Sequence, residues 1–430
     1  DYKLSFSQKP GLWDCGQLII SETYKMSMGL FRAMRPLLHP LLHCPGRLMI
    51  TLLLGITLLT ACVPTANLLE ADAEEMSGGI LLWHAWPDSH MKVLDETIAR
   101  FEEAYPDTWV KARGFSNEEE MLNAFTIAAE SGLGPDALIA TSENLHPLIN
   151  ADVIADVSAK LSADDWARYV PKTVETLRVG DRIYGIPESQ NTMVLYYNRN
   201  LVDEPLATLD DLVFAAQQGE DVLINSGFTD AFWGVQAFGG ALFDADGRVI
   251  LDRGGFVNWL AWLVEARDLH GIILDADRDA LRKRFVNDQA AYYVGDSDEL
   301  GLITEKMGNN AVGVAPLPAG PLGPAGPFLE VNAFLISAVA SERSQDLAVE
   351  FAKFATNAEQ SAILMRELQH VPVNTQVRLN PRLDPIVGAV TQQTRSAVPM
   401  PTIGNMQTVI ALTGDAYTRV LEGELNPCLL

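Results

Sequence analysis

The feature that most constrains this chain is a strand–helix alternation that is interrupted once. An apolar run over 79–86 precedes helical spacing over 90–105, and a second helix over 118–131 leads to a strand over 137–140. This order is typical of parallel α/β sheets with helices on both faces. A continuous β run over 192–198 breaks the alternation, which resumes afterwards. The pattern therefore predicts two α/β lobes.

Length and charge narrow the function classes. The chain has 430 residues, and single hydrophobic cores stop growing beyond ~250–300 residues, so two lobes are expected. Its formal net charge is −25. A body this acidic repels phosphate backbones, which argues against a nucleic-acid partner.

The N-terminal region reads as a secretion signal. An uncharged apolar run over 48–59 follows Arg47 and ends in Leu59-Thr60-Ala61-Cys62. The run is shorter than the ~20 residues of a membrane-spanning helix and suits a secretory core. Its end resembles a bacterial lipobox, which implies a lipid on Cys62. We therefore expect a signal peptide with an uninterpreted extension over 1–61 and a lipid-anchored tether over 62–78.

No motif for a metal, a nucleotide or a catalytic nucleophile is evident. The chain has neither a glycine-rich dinucleotide fingerprint after its first strand nor a phosphate-binding loop nor a serine elbow. His84 and His90 lack a third ligand nearby, and the four cysteines fit no zinc or redox spacing. Asp244-Ala-Asp-Gly247 lacks the distal glutamate of a calcium loop and reads as a β-turn. We predict no metal and no cofactor.

Seven short segments occur in order along the chain: Leu82-Trp-His-Ala-Trp86, Phe101-Glu-Glu-Ala-Tyr-Pro106, Gly134-Pro-Asp136, Tyr184-Gly-Ile-Pro187 with Leu195-Tyr-Tyr-Asn198, Gly239-Gly-Ala-Leu-Phe-Asp-Ala-Asp-Gly247, Phe285-Val-Asn-Asp-Gln-Ala-Ala291 and Val314-Ala-Pro-Leu-Pro-Ala-Gly320. Together, these segments resemble those of family 1 extracellular solute-binding proteins, the maltose-binding-protein-like subunits of ABC importers.

The resemblance implies an α/β, two-lobed periplasmic-binding-protein fold with a hinge and a ligand cleft between the lobes. The expected N-lobe is 79–189 plus 334–378, and the expected C-lobe is 190–333 plus 379–430. Relatives continue into one more helix where this chain stops, so we expect a truncated C-lobe.

The implied function is non-enzymatic. A monomeric lipoprotein on the outer face of the bacterial membrane, or in the periplasm, captures a small solute, foremost a carbohydrate. It hands the solute to the transmembrane subunits of an ABC permease. Two alternatives stay open: a sensor on the same fold that signals to a receptor, and a glycoside hydrolase using Glu143 and Asp88 as its carboxylate pair.

Candidate ligand contacts come from strand ends and from the resemblance. Trp86, Asp88 and Ser89 follow the first strand, where α/β folds bind ligands. By resemblance, polar contacts fall on Glu143, Asn144, Asn191 and Asn332, and the second lobe contributes Phe232 and Trp233. Simpler readings are a helix cap at Ser142 for the Glu143 segment and core packing for the aromatic pair.

Two departures from the maltose-binding pattern concern the ligand. Ser297 and, near the chain's end, Ile410 stand where relatives carry tryptophan platforms. Aromatic rings stack on the apolar faces of sugars. The sequence therefore disfavours a maltodextrin and leaves another sugar or a polyol.

Overall fold

A computed structural model describes residues 76–244, 248, 250, 254–380, 382–400 and 406–426. The predicted signal peptide, the lipidation residue Cys62 and the last residues of the chain lie outside this part. Among the described residues, no helix is both long enough and apolar enough to cross a bilayer.

The first half of the described chain alternates strands and helices as predicted. Its elements are β1 (Gly78–His84), α1 (Met91–Ala104), β2 (Thr108–Gly114), α2 (Glu118–Glu130), β3 (Ala137–Thr141), α3 (Leu145–Asn150), α4 (Ala163–Trp166), α5 (Pro171–Thr176), β4 (Arg178–Val179), β5 (Arg182–Ile183) and β6 (Ile186–Asn198).

The second half continues in the same manner. Its elements are α6 (Leu209–Gln217), β7 (Val222–Asn225), α7 (Phe228–Ala231), α8 (Gly234–Ala237), α9 (Gly255–Arg267), β8 (Ile272–Asp275), α10 (Arg278–Val286), β9 (Tyr292–Asp296), α11 (Leu300–Met307), β10 (Val312–Ala315), β11 (Phe328–Ile336), α12 (Glu342–Ala355), α13 (Ala358–Leu368), β12 (Val371–Pro372), α14 (Pro385–Thr394), β13 (Val398–Pro399) and α15 (Met406–Leu421). Short 3₁₀ turns lie at Asp88–His90, Ser142–Asn144 and Ser297–Glu299.

The helices form where caps and apolar stripes coincide. In α1 the buried residues Val93, Leu94, Ile98 and Phe101 recur at helical spacing and face the sheet. In α2 the Asn117 side chain accepts a hydrogen bond from the backbone N–H of Glu120, and three glutamates occupy the first turn. Both devices satisfy or complement the free N–H groups of a helix start.

The strands form a mixed sheet in the order β2-β1-β3-β11-β6-β9-β7-β8. β1 is parallel to β2 and β3, and β7 is parallel to β8 and β9, so each end of the sheet is a parallel α/β unit. β11 and β6 run antiparallel between the two units. The predicted α/β class is confirmed.

Separate hydrophobic cores flank the two units. One core contains Ile80, Phe101, Phe125 and Phe351 from the first unit. Two further cores contain side chains of the second unit, with Trp233 and Trp259 in one and Tyr293 and Phe285 in the other. Burial of these large side chains holds each unit together by the hydrophobic effect.

Strand β6 belongs to both units. Its first part, Ile186 to Thr192, pairs with β11, and its second part, Met193 to Tyr197, pairs with β9. We predicted a strand over 192–198 from its apolar residues alone. The strand begins at Ile186 instead, because partners on both sides satisfy the backbone around the buried polar residues Glu188 to Asn191.

Other predicted bounds shift by a few residues. The helix expected over 280–287 begins at Arg278, since the Asp277 side chain caps it by accepting from the N–H of Ala280 at 2.9 Å. The strand expected over 331–340 is β11, which ends at Ile336. The helix expected over 358–368 is observed with those bounds.

Candidate functional site

Polar side chains meet where β6 passes from one unit to the other. Asn191 lies opposite Glu330 on β11, and Met193 lies opposite Asp296 on β9. Directly opposed residues project to one face of a sheet, and residues two apart on a strand share that face. The carboxyl groups of Glu330 and Asp296 therefore flank β6 on the same face, and we call this region the junction.

Hydrogen bonds order the floor of the junction. The Asn191 Nδ2 donates to Glu330 Oε2 at 3.2 Å, and the Asn332 Nδ2 lies 3.2 Å from Asn191 Oδ1 and 3.0 Å from Ser189 Oγ. Asn191 and Ser189 are buried. Such a network fixes the side-chain orientations, so the remaining lone pairs and protons are presented in defined directions.

The first wall of the junction is the turn after β3. Glu118 Oε1 accepts the N–H of Thr141 at 2.8 Å and the Nδ2 of Asn144 at 2.7 Å, which clamps the turn onto the start of α2. Ser142 Oγ accepts the N–H of Val331 on β11 at 3.1 Å. Thr141 pairs with Asn332 on β11, which brings Glu143 close to Glu330.

The opposite wall carries an ion pair and further carboxyl groups. Arg278, in the first turn of α10, donates two hydrogen bonds to Asp230, at 2.7 and 3.2 Å. Asp296 ends β9, and its Oδ1 accepts the N–H of Asp298 at 3.0 Å. Ser297 Oγ accepts the N–H of Thr192 at 3.1 Å, which ties this wall to β6.

Burial and like charge make the carboxyl groups of the junction hard to ionise. Burial raises the pKa of Glu143, Asp296 and Asp298. Burial, followed by the nearby carboxyl groups of Asp296 and Glu143, raises the pKa of Glu330 well above its ordinary value. Glu143 and Asp298 are nevertheless exposed, so burial acts less on them than on Asp296, which is almost fully buried. Carboxyl groups that are partly desolvated but still reach solvent are expected to line a cleft.

The guanidinium of Arg278 is the counter-charge nearest to these groups. Burial disfavours its charged form, but the Asp230 carboxylate outweighs that penalty, and the pKa of Arg278 is raised. Its field lowers the pKa values of Glu143, Asp296 and Asp298 against the effect of burial. The positive charge of Arg278 thus favours the ionised form of these carboxyl groups.

A hydrogen-bonded path leads from the floor to an aromatic group. Ser189 Oγ donates to Glu188 Oε2 at 2.6 Å, and Glu188 Oε1 lies 2.9 Å from His370 Nδ1. The His370 ring packs at 5.4 Å against the rings of both Trp86 and His90. Burial and then the positive field of His370 lower the pKa of His90 to about 4. Of the two imidazole rings beside Trp86, that of His90 is therefore neutral at pH 7.

The structure separates the predicted contacts into four sets, one of which is Trp86 in the aromatic group with His90 and His370. Glu143, Asn191 and Asn332 meet in the junction, and Asn144 braces its first wall. Asp88 instead lines a groove of about 510 Å³ between α1 and β2, and Ser89 is exposed beside it. Asp88 and Glu143 therefore line different features of the surface.

Phe232 and Trp233 lie in the core. Phe232 is 2% exposed and stacks on Phe328, while Trp233 is fully buried against Trp259. Their ring faces are covered by protein, which matches the simpler reading of this aromatic pair as core packing. Because both rings are buried, the structure does not support contact between them and a ligand.

Sequence reasoning did not single out Arg278, Asp230 or Asp298. The prediction for the second lobe rested on the aromatic residues Phe232 and Trp233, close to Asp230 in the sequence. Arg278 opens a helix directly after the β8 end, and strand ends facing helix starts are where α/β folds place ligand contacts. That position was the available signal.

Comparison with known proteins identifies the family. Residues 96–387 match the sequence profile of the bacterial extracellular solute-binding proteins, which is more than half of the chain. The chain belongs to this family. The predicted resemblance is thereby confirmed, and this solute-binding protein is expected to act outside the cytoplasm, as its family name states.

Sequence relatives of this solute-binding protein are sugar-binding proteins by name. A maltotriose-binding protein of Pyrococcus abyssi is 25% identical over 370 residues, covering 82% of this chain and 79% of the relative. A galactooligosaccharide-binding protein of Bacillus subtilis is 22% identical over 397 residues, covering 86% and 90%. The relatives are binding proteins, and some are ABC transporter lipoproteins.

Solved structures share the fold. The maltose-binding protein of Listeria monocytogenes in complex with maltose superposes with a TM-score of 0.71 at 22% identity, covering 81% of this chain and 94% of that one. The cyclic α-maltosyl-1,6-maltose-binding protein of Arthrobacter globiformis gives 0.73 at 17% identity, covering 82% and 95%. The predicted two-lobed architecture of this solute-binding protein is confirmed.

Proposed function

We propose that this solute-binding protein captures a carbohydrate at the junction and delivers it to an ABC-type permease. The observation that carries the proposal is the ordered set of amide, hydroxyl and carboxyl groups of Asn191, Asn332, Ser189 and Glu330 on the strands that cross between the units. Sugar hydroxyls both donate and accept hydrogen bonds, so they suit a floor of this kind. The names of the sequence relatives support the same solute class.

The proposed role in transport depends on closure of the two units around the ligand. We place the lobes at 79–189 plus 334–378 and at 190–333 plus 379–430, with β6 and β11 as crossing strands. A ligand that contacts both lobes stabilises the closed form through its differential affinity for that form. The closed protein, acting as a monomer, then docks on the permease. No covalent step on the solute is required.

A calorimetric titration of the full chain against mono-, di- and oligosaccharides and polyols tests the carbohydrate proposal. We expect one sugar class to bind without being turned over and to raise the melting temperature, because a ligand that binds only the folded state stabilises it. Asn191→Ala should weaken that binding by about 10-fold or more, since a buried polar contact is lost. Asn150→Ala, at an exposed helix end, is the matched control. Failure of every carbohydrate in a protein that melts cooperatively would refute the proposal.

Anchoring is proposed at Cys62. The segment over 62–78 would serve as the tether between this anchor and the folded lobes. Cys62→Ala should move the protein from membrane to soluble fractions and abolish incorporation of labelled fatty acid. Cys428→Ala is the control. Membrane retention of the Cys62 variant would contradict this assignment.

A further inference from the structure

The groove between α1 and β2 is formed by residues other than those of the junction. Strand β2 is the outermost strand of the sheet on this side, and the groove has a volume of about 510 Å³. Small-molecule sites usually have volumes of ~300–1,000 Å³ and an apolar lining with a few polar groups. This groove has such a lining, with Met91 and Ile98 among its apolar residues and His84, Asp88 and Asp95 among its polar ones.

His84 is a fully buried polar side chain with an unused ring nitrogen. Its exposed fraction is 0%, and within the described part of the chain its Nε2 atom has no hydrogen-bond partner. The other nitrogen, Nδ1, accepts the backbone N–H of Trp86 at 3.2 Å. Buried polar atoms are nearly always hydrogen-bonded. The Nε2 atom therefore needs a partner that a molecule bound in the groove can supply.

The hydrogen bond from Trp86 determines what the Nε2 atom can bind. Burial lowers the pKa of His84, although the negative charge of Asp95 opposes this effect, so the ring is neutral at pH 7. In a neutral imidazole, one nitrogen accepts a hydrogen bond and the other carries the hydrogen. Because Nδ1 is the acceptor, Nε2 is an N–H donor and has no lone pair to offer to a metal ion.

Gly114, the last residue of β2, lies against the ring edge that carries Nε2. A methyl group on Gly114 would lie 3.2 Å from the Cε1 atom and 3.7 Å from the Nε2 atom of His84. Both residues line the groove, and the glycine has no side chain with which to cover the ring. The Nε2 atom is therefore directed to the part of the groove where residue 114 contributes only backbone.

The outer edge of β2 adds a second donor. The N–H of Phe115 is accepted by His84 O on β1 at 3.0 Å, whereas the N–H of Val110 is accepted by Glu102 Oε1 on α1 at 2.9 Å. The N–H groups of a paired strand point alternately towards its partner and away from it. The N–H of Ala112, another groove residue, therefore points away from β1, as that of Val110 does.

The charges around the groove limit the chemistry of its ligand. The carboxyl groups of Asp88 and Asp95 line it, and both residues are exposed. An anion would be repelled by these carboxylates, and a cation has no acceptor for the N–H of His84. A hydroxyl group meets both requirements, because its oxygen accepts from an N–H and its hydrogen is donated to a carboxylate.

We propose that this groove binds a polyhydroxylated molecule, a sugar or a polyol, with one hydroxyl oxygen accepting the Nε2–H of His84 and neighbouring hydroxyl groups donating to Asp95 and Asp88. The site is a second one, built on α1, β1 and β2, whereas the junction is built on β3, β6, β9 and β11. It goes beyond the proposed capture of a solute at the junction and does not depend on it.

Nuclear magnetic resonance of the imidazole groups tests the proposal directly. The full chain with isotope-labelled histidine is titrated with glucose, maltose, sorbitol and glycerol, and His84→Phe identifies the signal of His84. We expect a sugar or a polyol to shift the Nε2–H signal and to slow its exchange with water, because the proton enters a hydrogen bond. Inorganic phosphate and calcium chloride are titrated in parallel. A response to either ion alone overturns the proposal, as does the absence of any response in a folded protein.

Gly114→Ala tests the same site while leaving the histidine in place. The added methyl group would lie against the ring edge, so binding in the groove should weaken by about 10-fold or more, as expected when one buried hydrogen bond to a ligand is lost. Gly301→Ala on α11 is the matched control, because none of the described atoms that were compared lies within 4 Å of its added methyl group. Unchanged affinity of a folded Gly114 variant contradicts the proposal.

Asp95→Asn provides a second variant at an exposed position, with Asp210→Asn on α6 as its control. The amide keeps the shape but accepts hydroxyl donors less strongly than a carboxylate, so we expect affinity in the groove to fall by about 3-fold or more. Equal affinity of Asp95→Asn and the wild type overturns the assigned role of this carboxylate, even if Gly114→Ala fails to fold.

Asn191→Ala separates failure of this inference from failure of the proposed function. Because Asn191 belongs to the junction, the response of the His84 signal to sugar should persist in this variant. Loss of that response together with sugar binding would place the sugar in the junction and overturn the groove site. A His84 response in a protein whose junction binds no sugar would support the groove site and refute only the proposed function.

Discussion

Phe232 stacks on Phe328 with their ring centroids 4.1 Å apart and their planes inclined by 9°. Phe328 begins β11, and Phe232 follows α7, so the stack joins the second unit to a strand that crosses between units. Both rings are buried. The contact is a packing contact of the core rather than a platform for a solute.

Phe232→Ala should therefore lower the free energy of unfolding by about 3–5 kcal/mol, the usual result of removing a buried aromatic ring. Phe214→Ala is a suitable control, because Phe214 is 63% exposed on α6 and its loss should change stability by less than about 0.5 kcal/mol. Urea unfolding of both variants measures the difference. A Phe232 variant that loses solute affinity without losing stability would restore the ligand-contact reading.

The carboxyl groups of the junction give the stability an unusual pH dependence. Their folded pKa values lie above the unfolded ones, so the folded state holds more protons and stability falls as the pH rises above the unfolded pKa. Glu330→Gln removes one such group. Its melting temperature should exceed that of the wild type at pH 7.5, and the difference should shrink towards pH 4.5.

Glu305→Gln, which removes an exposed charge, serves as the control, and its melting temperature should follow the wild type at every pH. Differential scanning calorimetry of the ligand-free proteins across this range gives the comparison. A Glu330 variant that is less stable than the wild type at pH 7.5 would mean that the carboxylate form is favoured in the fold.

Local chemistry predicted much of the fold. Asn117 and the glutamates behind it marked the start of α2, and Pro106 marked the region where α1 ends. The helix Ala358–Leu368 was predicted with its observed bounds. These limits depend on capping and backbone restriction, which neighbouring residues determine.

Pairing between strands that are distant in sequence determined the strand bounds that the sequence did not predict. Glu188 to Asn191 lay outside the strand predicted over 192–198, yet they are strand residues, because β11 and β12 pair with β6 on this stretch. Sequence hydrophobicity cannot show that a polar segment will be buried between partners. The strand β11 likewise begins at Phe328 rather than at the predicted residue 331, and the stretch that the prediction omitted includes the polar residue Glu330.

For a similar reason, only part of the candidate site was predicted from the sequence. Glu143, Asn191 and Asn332 were found by resemblance, and the structure brings them to one junction, where their ligand contacts stay a prediction. Arg278 and Asp230 are 48 residues apart. Charged residues in helix first turns usually face solvent, so only the position of Arg278 after the end of β8 distinguishes this pair from surface charges.

His90 should make the protein sensitive to acid. Its pKa is lowered to about 4 by burial and by His370, so the folded state resists the proton that the unfolded chain takes up near pH 6.5. This penalty appears as the pH falls from 6.5 towards 4. His90→Gln should flatten the loss of stability over that interval, while His270→Gln, at an exposed position, should not. Urea midpoints at pH 7.5 and 5 measure the effect, and equal slopes for both variants would contradict it.

Arg278 links the ion pair with Asp230 to the carboxyl groups around it. Its positive field lowers the pKa values of Glu143, Asp296 and Asp298, so Arg278→Ala should raise them further. Asp230, with its side chain only 12% exposed, would also lose its partner. All of these changes disfavour ionised carboxylates, and therefore the variant should lose more stability at pH 7.5 than at pH 4.5. Arg366→Ala, at an exposed position on α13, provides the control. A stability loss of equal size at both pH values would indicate that Arg278 acts through packing, since the charge of its neighbours would then be irrelevant.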